Sequence, residues 1–139
     1  MRPMASRIII FDTSVFIDHL RTNKYADHFQ NLNGLIRNSS VVLSELARGA
    51  TKEAEKDFVT TLVKNHPILT PTEKNWLESG EILSEVYLDK GFSPEKLRDL
   101  HFDVLIALTA RNYGATIITS NKKDFEMLKG YKDFDLEVW

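Results

Sequence analysis

The feature that most constrains the fold is a short β-branched and aromatic run near the start of the chain, Ile8–Phe11, which is followed at once by Asp12. A run that is apolar on both faces is typical of a strand buried inside a parallel sheet. A second run of this kind spans residues 115–119. Helical patterns fill most of the chain between the two runs. This alternation predicts an α/β domain with three layers and a mainly parallel central sheet.

The spacing of apolar residues and the capping residues predict the other elements. Helices are expected at 14–20, 24–32, from Ser39 or Ser40 to Gly49, and at 52–64, 71–89, 93–113 and 122–128, with further strands at 35–37 and 136–139. Residues 104–108 are apolar nearly all round the sixth helix, so this helix is predicted to pack between layers. No repeat or linker-like segment divides the sequence. We therefore expect one domain over residues 1–139, with residues 1–6 as a flexible N-terminal tail.

The composition narrows the classes of function. Hydrophobic residues make up 42% and charged residues 27%, as in globular proteins. The sequence has no cysteine, which excludes disulfides and cysteine-based zinc sites and agrees with a cytoplasmic location. Its apolar runs are too short for a membrane helix or a signal peptide. The net charge of −2 argues against a basic nucleic-acid-binding surface, so any such binding must depend on a local site.

Four acidic residues stand at positions that require an explanation. Asp12 follows the first strand, and Asp124 follows the strand at 115–119. Considered singly, Asp12 is explained as well by capping of the next helix as by a functional role. Asp124 is explained as a favourable charge in the first turn of a helix. Glu45 is explained as a charge at the edge of a buried face. Asp103 favours a functional role, because it lies in the most apolar helix and an unpaired buried carboxylate is costly.

Considered together, the four acids predict a metal site. The carboxyl ends of parallel strands meet at one edge of a sheet, where ligands collect. Carboxylates within about 5 Å of one another repel by several kcal/mol per pair, so such a cluster requires divalent cations. Oxygen ligands without cysteine or clustered histidine select Mg²⁺ or Mn²⁺. Such an ion binds phosphate oxygens and activates a water for attack on a phosphodiester, which makes a nuclease the main hypothesis.

Four short motifs carry a family resemblance. They are Asp12-Thr13-Ser14-Val15-Phe16-Ile17-Asp18, Glu45-Leu46-Ala47-Arg48-Gly49, Asp103-Val104-Leu105-Ile106-Ala107 and Thr119-Ser120-Asn121-Lys122-Lys123-Asp124-Phe125. Their order resembles that of the PIN-domain ribonucleases. The order and the chain length together resemble the VapC-type toxins of bacterial and archaeal toxin–antitoxin pairs.

The resemblance implies a PIN-like three-layer α/β/α domain with an endoribonuclease site for Mg²⁺, or Mn²⁺ as its substitute. The implied metal ligands and catalytic residues are Asp12, Glu45, Asp103 and Asp124, supported by the hydroxyl of Thr13 or Ser14 and by Thr119 and Asn121. The resemblance also implies an RNA substrate, a homodimer, and a cognate antitoxin that inserts a basic residue into the acidic pocket. One departure is the sequence Leu100-His101-Phe102 before Asp103, where many relatives have another small or polar residue; we expect it to affect only the rim of the site.

An aspartate after the first strand is also typical of other classes of protein. A HAD-type phosphatase also begins with an aspartate after its first strand, but it needs a second acid where this chain has Ser14. A phospho-receiver domain needs paired acids before its phosphorylated aspartate and a late Lys-Pro, which this sequence lacks. A PIN nuclease without a toxin role and a non-catalytic PIN-fold interaction module stay open. Four carboxylates that are costly to keep together argue against the non-catalytic module. The segments 52–64 and 71–89 are candidates for a dimer or antitoxin surface, and core packing explains them equally well.

Overall fold

The computed structural model describes residues 7–139, so the tail expected at residues 1–6 lies outside the described residues. Helices and strands alternate along the chain. They are β1 (Ile8–Phe11), α1 (Thr13–Thr22), α2 (Ala26–Gln30), β2 (Leu35–Ser39), α3 (Ser40–Gly49), α4 (Glu53–Asn65), β3 (Ile68–Leu69), α5 (Glu73–Lys90), α6 (Pro94–Asn112), β4 (Thr116–Thr119), α7 (Lys122–Lys129) and β5 (Asp135–Val138). Within this part of the chain, no helix combines the length and the apolar character needed to cross a membrane.

The five strands form one sheet in the order β3-β2-β1-β4-β5, and every neighbouring pair is parallel. The strand β1 lies at the centre, where Ile9 pairs with Ile36 on one side and with Thr116 on the other. The predicted α/β/α fold is confirmed. Because all strands run in one direction, their carboxyl ends share one edge of the sheet, and Asp12 leaves β1 at that edge.

The core forms between this sheet and α6. The strand residues Ile9 and Ile10 are fully buried, and residues 104–108 of α6 are buried on all sides. The prediction that this helix packs between layers is confirmed, since it contacts α5, α3, α7 and β4. Burial of each Leu, Ile or Val side chain stabilises the fold by about 1.5–3 kcal/mol. A rigid, well-packed helix therefore carries Asp103.

The differences from the sequence-based expectation at β3, at the end of β2 and at the start of α5 have clear physical reasons. The two-residue strand β3 was not predicted, because two residues are too short to show a strand period. It is defined by its pairing with Asn38 and Ser39 at the end of β2. The strand β2 is therefore two residues longer than expected. The helix α5 begins at Glu73 rather than at Pro71. The reason is a reciprocal cap between Thr72 and Asn75, which satisfies free N–H groups of the first turn.

The segment 71–89 is only partly explained by core packing. Its helix α5 buries Ile82 and Val86 but leaves four large apolar side chains exposed, namely Trp76, Leu77, Tyr87 and Leu88. The segment 52–64, which forms most of α4, buries Leu62 in the core.

Candidate acidic active site

Asp12 is held by hydroxyl groups at the end of β1. Its side chain is buried, and Oδ2 accepts hydrogen bonds from Ser14 Oγ at 2.6 Å and from Thr119 Oγ1 at 2.9 Å. Asp12 occupies the N-cap position of α1, yet its side chain makes no capping hydrogen bond. Burial raises the pKa of Asp12, and hydrogen bonds from the two hydroxyls and from the backbone of Ser14 and Thr13 offset only part of that rise. Helix capping alone therefore does not explain this buried carboxylate.

The hydroxyl residues around Asp12 connect three segments of the chain. Ser14 Oγ lies 3.3 Å from Thr119 Oγ1 and accepts a hydrogen bond from the backbone N–H of Ser120 at 3.2 Å. The backbone N–H of Asn121 donates to Thr119 Oγ1 at 2.9 Å. The side chain of Ser120 donates to Asp18 at 2.8 Å. The last pair was not predicted, although Asp18 and Ser14 are four residues apart and so share a face of α1.

Glu45 is brought to the site by α3. Ser39 caps this helix, since its Oγ accepts from the N–H groups of Val41 and Val42 at 3.2 and 3.3 Å. One helical turn further on, Glu45 Oε1 accepts a hydrogen bond from Thr13 Oγ1 at 2.9 Å. Burial raises the pKa of the Glu45 carboxyl, and this hydrogen bond only partly opposes it. The two neighbouring hydroxyls of α1 thus hold two different acids.

Asp103 lies where the charges of the other three acids converge. Its pKa is raised to about 9, first by burial and then by the charges of Asp12, Glu45 and Asp124 in that order, while the charge of Lys96 lowers it. Its position on α6 thus brings it close to acids from three other segments. In the absence of a cation, the Asp103 carboxyl retains a proton at neutral pH. A nearby divalent cation would favour the ionised form instead.

Asp124 differs from the other acids because a lysine neutralises it. Lys96 Nζ lies 2.9 Å from Oδ1 and 2.8 Å from Oδ2 of Asp124, and Asn121 Nδ2 donates to Oδ2 at 3.2 Å. Burial alone would raise the pKa of Asp124, but the hydrogen bonds from Lys96 and Asn121 lower it overall. Lys96 was not predicted as a residue of the site. It could have been found from its position two turns before Asp103, which places both residues on one face of α6.

His101 and Phe102 show where the unusual sequence before Asp103 lies. His101 Nε2 is 3.0 Å from Ser79 Oγ, so this side of the ring is directed towards α5. The guanidinium of Arg48 lies over the ring of Phe102, 5.5 Å from the ring centre. Arg48, Phe102 and Asp99 line an open cleft of about 500 Å³. This cleft adjoins the site, because Arg48 and Asp99 both act on the pKa of Glu45.

The spacing of the acidic side chains limits how they can hold a metal ion. Within residues 7–139, no three acidic or histidine side chains converge tightly enough to hold an ion together as they stand. Mg²⁺, however, keeps several waters and is commonly held by only one or two carboxylates. Asp12, Glu45 and Asp103 offer carboxylate oxygens whose ionised forms are disfavoured by burial, and a cation would offset that cost. The residues therefore fit a hydrated hard cation.

Comparison with protein families decides the classification. The PIN domain family model matches residues 9–130, a span that contains all four acids. The chain belongs to the PIN domain family. Comparison with curated proteins by sequence finds no significant match.

Solved structures share the fold of this PIN domain over nearly its whole length. A chain in the structure of VapBC2 from Rickettsia felis bound to a promoter DNA fragment is 25% identical, with a TM-score of 0.69 over 95% of this chain and 98% of that chain. A chain of DNA-bound VapBC from Salmonella typhimurium is 23% identical, with a TM-score of 0.70 over 96% and 98%. A chain of VapBC-5 from Mycobacterium tuberculosis is 20% identical, with a TM-score of 0.58 over 98% of each.

Proposed function

We propose that this PIN domain is an endoribonuclease that depends on a divalent metal ion, Mg²⁺ or its substitute Mn²⁺. The observation that carries the proposal is the convergence of the charges of Asp12, Glu45 and Asp124 on the half-buried carboxyl of Asp103. A fold has little reason to maintain such mutual repulsion unless a cation or a cationic group offsets it. The four residues, here called the acidic site, are the proposed residues of the catalytic centre and the candidates for its metal ligands.

The residues around the acidic site prepare it for phosphodiester hydrolysis. A bound hard cation would contact a phosphate oxygen and lower the pKa of a bound water. Ser14 and Thr119 orient the carboxylate of Asp12 by hydrogen bonds of 2.6 and 2.9 Å, and Thr13 orients Glu45. These hydroxyls act as fixed donors that support the carboxylates, as outer residues do in metal sites generally. Thr119 in turn is held by the backbone N–H of Asn121.

We further propose that the enzyme is the toxin of a toxin–antitoxin pair. Its support is the similarity to chains of VapBC complexes, which reaches 25% identity with the Rickettsia felis structure. A cognate antitoxin is then the expected partner, and the acidic site is the expected position for one of its basic side chains. A homodimer is part of the same proposal. The cytoplasmic location expected from the sequence stays a prediction.

The metal dependence is tested by offering the purified chain a panel of single-stranded and structured RNAs. We expect cleavage with Mg²⁺ or Mn²⁺, loss of cleavage when the ion is removed with a chelator, and recovery when the ion is returned. Gel electrophoresis of the RNAs measures all three. Absence of cleavage at high enzyme concentration, or equal cleavage in the chelator, would contradict the proposed mechanism.

The toxin role is tested by expressing the chain in a bacterial host. Growth should stop, because uncontrolled RNA cleavage arrests translation, and the arrest should disappear in the Asp12→Ala variant. Asp133→Ala is the matched control, since that side chain is 83% exposed, and it should still arrest growth. Growth curves measure the effect. A native chain that is harmless in several hosts but cleaves RNA in vitro would favour a PIN nuclease without a toxin role.

A further inference from the structure

Lys96 lies beside the acidic site, and the ribonuclease function proposed above assigns it no role. Its ammonium contacts both carboxylate oxygens of Asp124, at 2.9 and 2.8 Å. One of these oxygens also accepts a hydrogen bond from Asn121 at 3.2 Å. The carboxylate of Asp124 therefore already has a counter-charge and a further donor from within the chain. It has less to gain from a metal ion than a carboxylate without a cation.

The other three acids are in a different state. Among the residues that the structure describes, Asp12, Glu45 and Asp103 form no ion pair. Asp12 and Glu45 accept side-chain hydrogen bonds from neutral hydroxyl groups, and Asp12 is further stabilised by the backbone of Thr13 and Ser14. A hydrated hard cation gains most from carboxylates that no positive side chain already neutralises. Metal binding is therefore expected to concentrate on these three residues.

The exposure of the ion pair indicates what Lys96 can reach. The Lys96 side chain is 37% exposed, whereas that of Asp124 is 17% exposed. A partly exposed pair of this kind contributes little to stability, so stabilisation alone does not account for its place beside three acids. The ammonium has three donors and only two are engaged by the carboxylate oxygens. An anion that enters from solvent can therefore contact Lys96 while Asp124 still holds it.

We propose that Asp124 is a positioning residue rather than a metal ligand, and that the Lys96 ammonium it holds binds a non-bridging phosphate oxygen of the RNA. The proposal rests on the ribonuclease function and refines the acidic site, because it assigns the metal to Asp12, Glu45 and Asp103 and the phosphate to Lys96. It also gives a chain of net charge −2 a local contact for a polyanion.

Measurement of metal affinity, which needs no catalysis, tests the first part of the proposal, that Asp124 is not a metal ligand. Binding of Mn²⁺ to the purified chain is measured by the electron paramagnetic resonance signal of the free ion, with no RNA present. Asp124→Asn should leave the dissociation constant within about twofold of native, whereas Asp103→Asn should weaken binding by about tenfold or more, the range seen when metal sites are disturbed. Equal weakening by both variants would overturn the assignment of Asp124.

Measurement of RNA affinity tests the second part of the proposal, that Lys96 binds a phosphate oxygen. Fluorescence anisotropy of a labelled single-stranded RNA is measured in a chelator, so that no cleavage occurs. Lys96→Met should weaken binding by about tenfold and reduce the slope of log affinity against log salt by about 0.7, the value of one phosphate contact on a single strand. Lys96→Arg should restore the slope because it keeps the charge.

A matched control separates the role of Lys96 from the general effect of removing a lysine from the surface. Lys132 forms an ion pair of the same length with Glu78, 2.8 Å, at similar exposures of 35% and 23%. Lys132→Met should leave both RNA affinity and salt slope unchanged. Equal effects of Lys96→Met and Lys132→Met, or no RNA binding by the native chain, would overturn the role of Lys96. If the native chain cleaves RNA and Lys96→Met cleaves it equally well, only this refinement fails; if the native chain never cleaves RNA, the ribonuclease function itself fails.

Discussion

Replacement of Asp103 by asparagine should lower the rate of RNA cleavage by about a thousandfold. The residue contributes the carboxylate on which the charges of the other three acids converge. Metal-bound charge stabilisation contributes several kcal/mol to such reactions, and each factor of ten in rate corresponds to about 1.4 kcal/mol. Asparagine keeps the shape of the side chain but removes the charge that a cation needs. Initial rates on the best RNA of the panel, with Mn²⁺ at saturation, measure the effect.

The matched control is Asp57→Asn, which makes the same chemical change at an exposed position of α4. It should leave the cleavage rate within about twofold of native, as expected for a surface substitution away from the site. Cleavage by Asp103→Asn at the rate of the control would contradict the proposed role of Asp103.

The free energy of unfolding of the metal-free chain should fall as the pH rises from about 5 towards 9. The folded-state pKa of Asp103 is about 9, far above the ordinary value of 3.8, so the folded chain keeps a proton that the unfolded chain has lost. A group raised in this way contributes its full stability below its ordinary pKa and loses it as the pH approaches the folded value. The loss is about 1.4 kcal/mol for each pH unit at most. Asp12 and Glu45 are shifted in the same direction and add to it.

Urea denaturation followed by circular dichroism, at several pH values in a chelator, measures this dependence. Asp103→Asn should flatten the profile, and Mg²⁺ should restore stability to the native chain near pH 8 because it binds the ionised form. Asp124→Asn serves as the contrast. The pKa of Asp124 is lowered, so its contribution is already complete above about pH 5, and its loss should shift the profile without changing the slope. A native profile that rises with pH would contradict the expected burial of Asp103.

Several features of the site could be predicted from short segments of the sequence. The run Ile8–Phe11 is apolar on both faces, so it had to lie inside a sheet, and Asp12 then had to emerge at its carboxyl end. The all-round apolar segment 104–108 had to pack between layers and so placed Asp103 at the edge of the core, where it is half-buried. These predictions succeed because a short apolar run has few ways of avoiding water. The metal, the RNA substrate and the separate duties of the acids stay predictions.

Other features depend on side chains that meet only in the folded chain. The sequence implied one supporting hydroxyl from Thr13 or Ser14, whereas both are used, Thr13 for Glu45 and Ser14 for Asp12. Successive residues of a helix point about 100° apart, so neighbours in sequence can serve different partners. The orientation of α1 against α3 and β4 decided which partner each one meets.

The sequence by itself therefore determined the α/β class, the strand that delivers Asp12 and the helix that delivers Asp103, because periodicity and burial are local properties of the chain. Only the tertiary structure decided the order β3-β2-β1-β4-β5, the two-residue strand β3 and the neutralisation of Asp124 by Lys96. Lys96 and Asp124 are 28 residues apart, and no local pattern indicates that two side chains at such a separation will share one charge pair. Their meeting depends on how α6 packs against α7, and therefore on contacts among all the layers of the domain.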